Sequence, residues 1–436
     1  MYRACKDFRN GQTNTWSSRA VWLFVPIVCF LQVSAIADWP SLLGPTRNGL
    51  ADSSSQLPVI VDGSPKQIWK VEAGQGYAGP AVANNDFVLF ERVGDNDIVR
   101  LLNLETGIEV WRRELKAGYR GGIDSDKGPR SVPAILGQSV LVYSAAGDVT
   151  LLNRKDGSVK WTRALRKEFN AEDGYFGAGS TPLVVGEQVI VNVGGKTVGV
   201  VCISLDNAKT LWTSSALEAS YSSPLLLPTT SDARIPSPIV VVPGKMKTVG
   251  LDLATGKELW TFPFGQRGPT VNAATPVMNS QGNLFMTSSY GTGSLIVEPT
   301  LSEAKILRKG NEISSQYCTP VVLGGKIFGS DGREDAGGGS YKCLSEKDGK
   351  LLWEKTEMPI CHTLGVGGKL LIVGIGGEIW ALDGAATNFQ PLWNTRLPEG
   401  TYRALPAFSK DRLYTRTSNG VRDSWYCFQI AARSSN

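Results

Sequence analysis

An all-β ring of eight four-stranded antiparallel units, a β-propeller, is the fold class this sequence predicts. Three observations carry the prediction. A tryptophan recurs about every 50 residues, a hairpin phrase precedes each one, and glycine makes up 11% of the 436 residues against a usual ~7%. The tryptophans are Trp69, Trp111, Trp161, Trp212, Trp260, Trp353 and Trp393, with steps of 42, 50, 51, 48, 93 and 40. The long step is two periods, and Leu307 fills the gap. A fixed period of this length marks a repeat architecture.

The phrases themselves read as strand, tight turn, strand. LLNLETGIEVW (101–111), LLNRKDGSVKW (151–161), GLDLATGKELW (250–260) and CLSEKDGKLLW (343–353) are the clearest, with weaker copies ending at Trp212 and Trp393. Asp or Asn and Gly supply the turn, and alternating apolar residues flank it. A second hairpin lies upstream of each phrase, its first strand opened by Pro80, Pro133, Pro182, Pro224, Pro276, Pro320 and Pro406, with one unit starting near Leu364 without a proline. Four short strands per period and no helical stretch give propeller blades. The last unit, ending at Trp425–Ile430, lacks a Trp strand, whereas the stretch around Trp69 is a final strand with nothing before it. Pairing these two ends closes the ring and leaves no open seam. The recurring tryptophans are therefore blade-packing residues, not catalytic ones.

The pattern strand, D-x-x-T-G-K-x-x-W, loop, small-residue-Pro strand resembles the pyrroloquinoline-quinone-type (PQQ-like) repeat, with Asp252–Trp260 as its best copy. The likeness runs from about Ile68 to Ile430. Gly-His and Trp-Asp marks of WD repeats are missing, and the doublets Gly324-Gly325 and Gly367-Gly368 fall in the first turn of the unit, which disfavours Kelch repeats. The resemblance implies either of two roles. Quinoprotein alcohol dehydrogenases of this fold hold the quinone and a calcium ion over the axis. The barrel-assembly accessory lipoproteins have a similar ring, carry no cofactor and act as binding scaffolds. Asp38-Trp39-Pro40 through Gly44-Pro45, Arg47 and Gly49 is similar to a lead found on secreted PQQ-like repeat proteins.

Four domains follow. Residues 1–37 read as a signal peptide: Arg3, Lys6, Arg9 and Arg19 precede an apolar run from Val21 to Val33 and the small residues up to Ala37. Residues 38–65 are the lead segment, 66–431 the propeller and 432–436 a tail. Cleavage near Ala37 implies a secreted or periplasmic protein, with an uncleaved anchor as the other reading. The formal net charge of +5 falls to +2 without the leader, and basic runs are absent, which disfavours a nucleic-acid surface. One histidine, His362, rules out a multi-histidine metal site. Five cysteines remain after the leader, with no CxxC spacing, so neither a disulfide framework nor a zinc site is indicated.

Aligning the units on the strand-opening proline places small residues at one position of the mouth: Ala78, Ser131, Ser180, Ser222, Ala274, Cys318, Cys361 and Ala404. Crowding eight strands at a narrow mouth accounts for that. Cys318 and Cys361 are equivalent in adjacent units, either a disulfide or two buried thiols. One position outward, the loops carry Tyr77, Arg130, Tyr221, Tyr317 and Arg403, and His362 adjoins Cys361 on the same rim. Tyrosine and arginine offer rigid or forked contact area, so this rim is the expected surface for an envelope protein partner or a small-molecule ligand.

The expected function is a non-catalytic binding scaffold in the cell envelope, with no cofactor and no metal. The alternative is a PQQ-dependent oxidoreductase, for which Arg130 and Arg403 would meet the quinone's carboxylates. Calcium would need several carboxylates; Asp124, Asp126, Glu172 and Asp173 in the longest rim loops are the obvious supply. A vicinal Cys-Cys pair and a C-x-x-C-H haem site are both absent. The charged stretch Asp331–Gly339 reads as a long hairpin tip exposed on a face and as a candidate partner contact.

Overall fold

Eight four-stranded antiparallel sheets make up the chain in a computed structural model that describes residues 38–58, 64–418 and 423–430. The proposed leader and tail lie outside them. Blades 1 to 7 are contiguous, spanning 81–116, 134–164, 183–213, 225–263, 277–310, 321–358 and 361–396. Blade 8 takes three strands from 407–429 and its fourth from Lys66–Glu72, which pairs antiparallel with Ser424–Gln429. The N-terminal strand thus closes the ring as expected. First strands of neighbouring blades touch one another, at blades 8 and 1, 1 and 2, 5 and 6, and 6 and 7, and so line the axis. Among the described residues the only helical pieces are one turn at Leu165–Glu168 and a 3-10 turn at Glu334–Ala336.

The repeated phrase has a local cause. Asp252 Oδ1 accepts the Thr255 backbone N–H at 2.8 Å and the Thr255 hydroxyl at 2.6 Å, and Asn103 makes the same kind of turn with Thr106. The side chain imitates a backbone turn and reverses the strand. Outermost strands are half exposed and rich in charge, as in Glu109–Lys116, which discourages pairing with other chains.

Blade-to-blade packing repeats one contact. Each indole Nε1–H donates to a carbonyl in the following unit: Trp69 to Leu104, Trp111 to Arg154, Trp161 to Leu205, Trp212 to Leu253, Trp260 to Thr300 and Trp353 to Ala386, at 2.9–3.2 Å. Trp393 is the instructive exception. Blade 8 has no turn before its outer strand, because that strand comes from the other end of the chain. Pro58 of the lead supplies the missing carbonyl at 3.1 Å.

Leu307 does not hold the vacant tryptophan place. Ile296 pairs with Arg308, one residue on, just as Gly250 pairs with Trp260, and Leu307 is left 45% exposed. The aliphatic stem of Arg308 lies against Gly349 of blade 6, the position an indole covers elsewhere.

Those indoles lean on turn glycines. Gly256 has φ +71°, and a Cβ there would stand 2.3 Å from Trp212 Cε3. Gly137 has φ +56° with nothing within 4 Å of such an atom. Gly256→Ala is expected to destabilise by about 1–3 kcal/mol more than Gly137→Ala, since it adds overpacking to the shared backbone strain. Urea midpoints of the two variants check this.

Candidate binding site at the rim

The axis of the ring is filled by the lead segment, whose place in the fold its sequence does not announce. Trp39, 2% exposed, exchanges backbone hydrogen bonds with Val82 of blade 1 at 2.8 Å, and the Pro40 carbonyl accepts from Ile135 of blade 2. Arg47 then reaches the opening ends of the first strands of blades 3 and 4, donating to the carbonyls of Thr181, Pro182 and Pro224 at 3.2–3.4 Å. Gly49 and Ala51 straddle Gly365 of blade 7. The guanidinium of Arg47 is ringed by protein with no carboxylate partner among the described residues, and burial lowers its pKa to about 10. Arg47→Met keeps most of the volume but strips these carbonyls of their donor. We expect a loss of about 1–3 kcal/mol, read as a lower thermal midpoint with the ring's circular-dichroism signature retained.

Above this plug opens a cavity of about 1030 Å³. Its wall contains all six rim residues expected from the sequence, Tyr77, Arg130, Tyr221, Tyr317, His362 and Arg403. Five arrive on the loops that lead into the first strands of blades 1, 2, 4, 6 and 8, His362 lies within the first strand of blade 7, Cys361–Val366, and the small residues next to them, from Ala78 to Ala404, are buried as the crowded mouth requires. Leu42 of the lead adds apolar surface.

A hydrogen-bonded chain ties one side of the wall together. Tyr77 Oη donates to Asp124 Oδ2 and accepts from Arg403, both at 3.1 Å. Arg403 Nε donates to Glu334 Oε1 at 2.7 Å, and Tyr317 Oη donates to Glu334 Oε2 at 3.0 Å. Arg130 holds Asp126 at 3.3 Å, donates to the Gly128 carbonyl, and lies over the rings of Tyr77 and Tyr119. Burial, reinforced by Asp124 and Asp126, pushes the Tyr77 phenol up to about 12, and burial does the same to Tyr221. Burial opposes the charge on Arg403, but the hydrogen bonds and charge of Glu334 outweigh it and hold that pKa above its ordinary value.

His362 belongs to the wall yet is only 2% exposed. Its Nε2 faces the Arg403 carbonyl oxygen at 2.9 Å, and a carbonyl only accepts, so Nε2 carries the proton. Nδ1 is then an acceptor, buried and without a donor among the described residues. Burial lowers the imidazole pKa to about 4, so the ring is neutral at pH 7.

Glu334 and Asp335 join the cavity wall although the repeat alignment did not place them on the rim. The stretch Asp331–Gly339 is the expected hairpin tip, exposed at 335–338, and its Arg333, Glu334 and Asp335 also line the rim cavity, where Arg333 pairs with Asp335 and lies 4.2 Å from the Tyr290 ring centroid. The acidic supply considered for calcium is dispersed. Asp124 and Asp126 are engaged by Tyr77 and Arg130, and Glu172 pairs with Lys196 away from the cavity wall. Among the described residues no three His, Cys, Asp or Glu side chains converge as a metal site would need. Cys318 and Cys361 are free buried thiols, and burial raises both pKa values.

Comparison with known proteins agrees with the ring. The chain superposes on BamB from Moraxella catarrhalis at 17% identity, covering 86% of this chain and 99% of that one, with a TM-score of 0.58. It superposes on the quinohemoprotein alcohol dehydrogenase ADHIIG from Pseudomonas putida HK5 at 11% identity, covering 91% and 81%, with a TM-score of 0.67. The quinohemoprotein alcohol dehydrogenase from Comamonas testosteroni gives 12% identity, 91% and 81% coverage, and a TM-score of 0.61. At these identities the likeness establishes the fold alone. No curated protein matches. No helix among the described residues is long and apolar enough to cross a membrane. The family model described as outer membrane protein assembly factor BamB matches residues 94–338, more than half of the chain. The chain therefore belongs to that family of PQQ-type repeat propellers.

Proposed function

We propose that this protein is a non-catalytic binding scaffold of the cell envelope, and that the rim cavity is where its partner or ligand sits. One observation carries the reading: six rim side chains from six blades converge on a single large cavity, three of whose four arginines are already held by the protein's own carboxylates. Large pockets with a few convergent polar groups are binding sites by default. The envelope location rests on the leader-like residues 1–37 and agrees with the family.

The structural likeness to quinohemoprotein alcohol dehydrogenases supports the rival reading, a PQQ-dependent oxidoreductase. The residues present fit that cofactor poorly. A tricarboxylate would have to displace Asp126 from Arg130 and Glu334 from Arg403, and the carboxylate set for calcium is not assembled. Adding the quinone with calcium to the purified chain, then offering alcohols and sugars with a dye acceptor, separates the two. The scaffold reading expects no turnover. It also expects that a partner captured from envelope extracts is lost when Tyr77, Tyr221 and Tyr317 are replaced by alanine. Saturable dye reduction abolished by Arg130→Ala or Arg403→Ala overturns it.

A further inference from the structure

The cavity wall also states what chemistry it will accept, and the inference drawn from it rests on the binding reading just proposed. Three of its four arginines are closed into pairs, Arg130 with Asp126, Arg403 with Glu334 and Arg333 with Asp335, while Arg267 is exposed and makes no ion pair among the described residues. At the three pairs an anionic ligand must compete with carboxylates already in place. Aromatic faces make up much of the rest, from Tyr77, Phe176, Tyr221, Tyr290 and Tyr317.

The unspent hydrogen-bonding capacity points the same way. Tyr317 Oη has given its proton to Glu334 and retains a lone pair. Tyr221 Oη accepts from the Phe176 N–H at 3.0 Å and keeps its own proton to give. His362 Nδ1 is a buried acceptor lacking a donor among the described residues, beside the Tyr317 ring, whose centroid is 5.8 Å from the imidazole's. Neutral donors and acceptors interleaved with aromatic faces match a ligand whose hydroxyl groups both give and take, and whose C–H faces lie on rings. The volume of about 1030 Å³ sits at the upper end of small-molecule pockets, roughly 300–1,000 Å³.

We infer that the rim cavity binds a polyhydroxylated ligand, a saccharide of a few units, lying against Tyr221 and Tyr317.

The experiment is a calorimetric titration of the full chain with trisaccharides: maltotriose, cellotriose, xylotriose, galactotriose and trigalacturonate. At least one of them is expected to bind. Tyr221→Ala and Tyr317→Ala should each weaken that binding at least ten-fold. Tyr221→Phe, which removes only the hydroxyl, should weaken it several-fold, and it keeps the test open if an alanine variant does not fold. No binding by any of these trisaccharides overturns the inference, as does binding that all three variants leave unchanged. Rim-dependent capture of a protein with blank saccharide titrations defeats the saccharide inference alone. Quinone-dependent turnover defeats the scaffold reading beneath it.

Discussion

Trp212→Ala is expected to lower the stability of the ring by about 3–5 kcal/mol. Trp212 is 7% exposed and sits among Leu183, Ile190, Val240, Val242, Val249 and Leu251, side chains of blades 3 and 4. Truncation leaves a cavity at the blade interface, removes the cover from Gly256, and strands the Leu253 carbonyl that accepts from the indole at 2.9 Å. The surrounding strands are held by their own ladders and cannot collapse into the space, so the cavity term is retained. Trp212→Phe separates the contributions: it keeps most of the packing and loses the hydrogen bond, and about 1–2 kcal/mol is expected for it. Trp161 occupies the equivalent place with more of its surface exposed, so Trp161→Ala should cost less than Trp212→Ala. Urea unfolding followed by tryptophan fluorescence and by circular dichroism measures all three. Equal losses at positions 161 and 212 would show that burial does not set the cost.

Because that interface is copied around the ring, the fold was legible from residues alone. A packing position repeated seven times leaves a period that no single blade would reveal, and the two incomplete ends at Trp69 and Trp425 disclosed how the ring closes. The period lost its grip where a turn lengthens. Ile296 pairs with Arg308, twelve residues on, whereas Gly250 pairs with Trp260, ten residues on, so the blade 5 hairpin is two residues longer and Arg308, not Leu307, takes the shared position.

The rim was legible for the same reason as the ring. Tyr77, Arg130, Tyr221, Tyr317, His362 and Arg403 all stand at or next to one offset from the strand that lines the axis, and position along a repeat fixes position in space. Glu334 has no such offset. It comes from the middle of a blade 6 hairpin that folds over the rim, and only its contacts with Arg403 and Tyr317 identify it. The lead segment was opaque for a third reason. Residues 38–58 have neither helical nor strand periodicity, and their order comes from backbone bonds to several different blades, a tertiary fact with no local signature.

His362 gives the second large effect, an acid sensitivity that the sequence named only as a lone histidine. Its pKa in the folded chain is about 4, lowered first by burial against the opposing pull of the Arg403 carbonyl and the Glu334 carboxylate. In the unfolded chain it returns to about 6.5. Between these values the unfolded state binds the proton and the folded state does not, so stability rises with pH across that window. The contribution is complete above about pH 6.5 and is lost progressively as pH falls to about 4, where protonation of the folded ring stops further loss. The full difference corresponds to about 3 kcal/mol. Carboxylates titrate in the same range, and Glu334 and the Tyr317 phenol face the imidazole, so the total curve does not isolate it. The difference between the wild-type chain and His362→Gln does. That difference is expected to change by about 3 kcal/mol between pH 7 and pH 4 in favour of the glutamine chain, and to be flat from pH 7 to pH 8.5. A flat difference throughout would mean that the imidazole finds a proton acceptor at Nδ1 in the folded protein, which would contradict the orphaned nitrogen in the cavity wall.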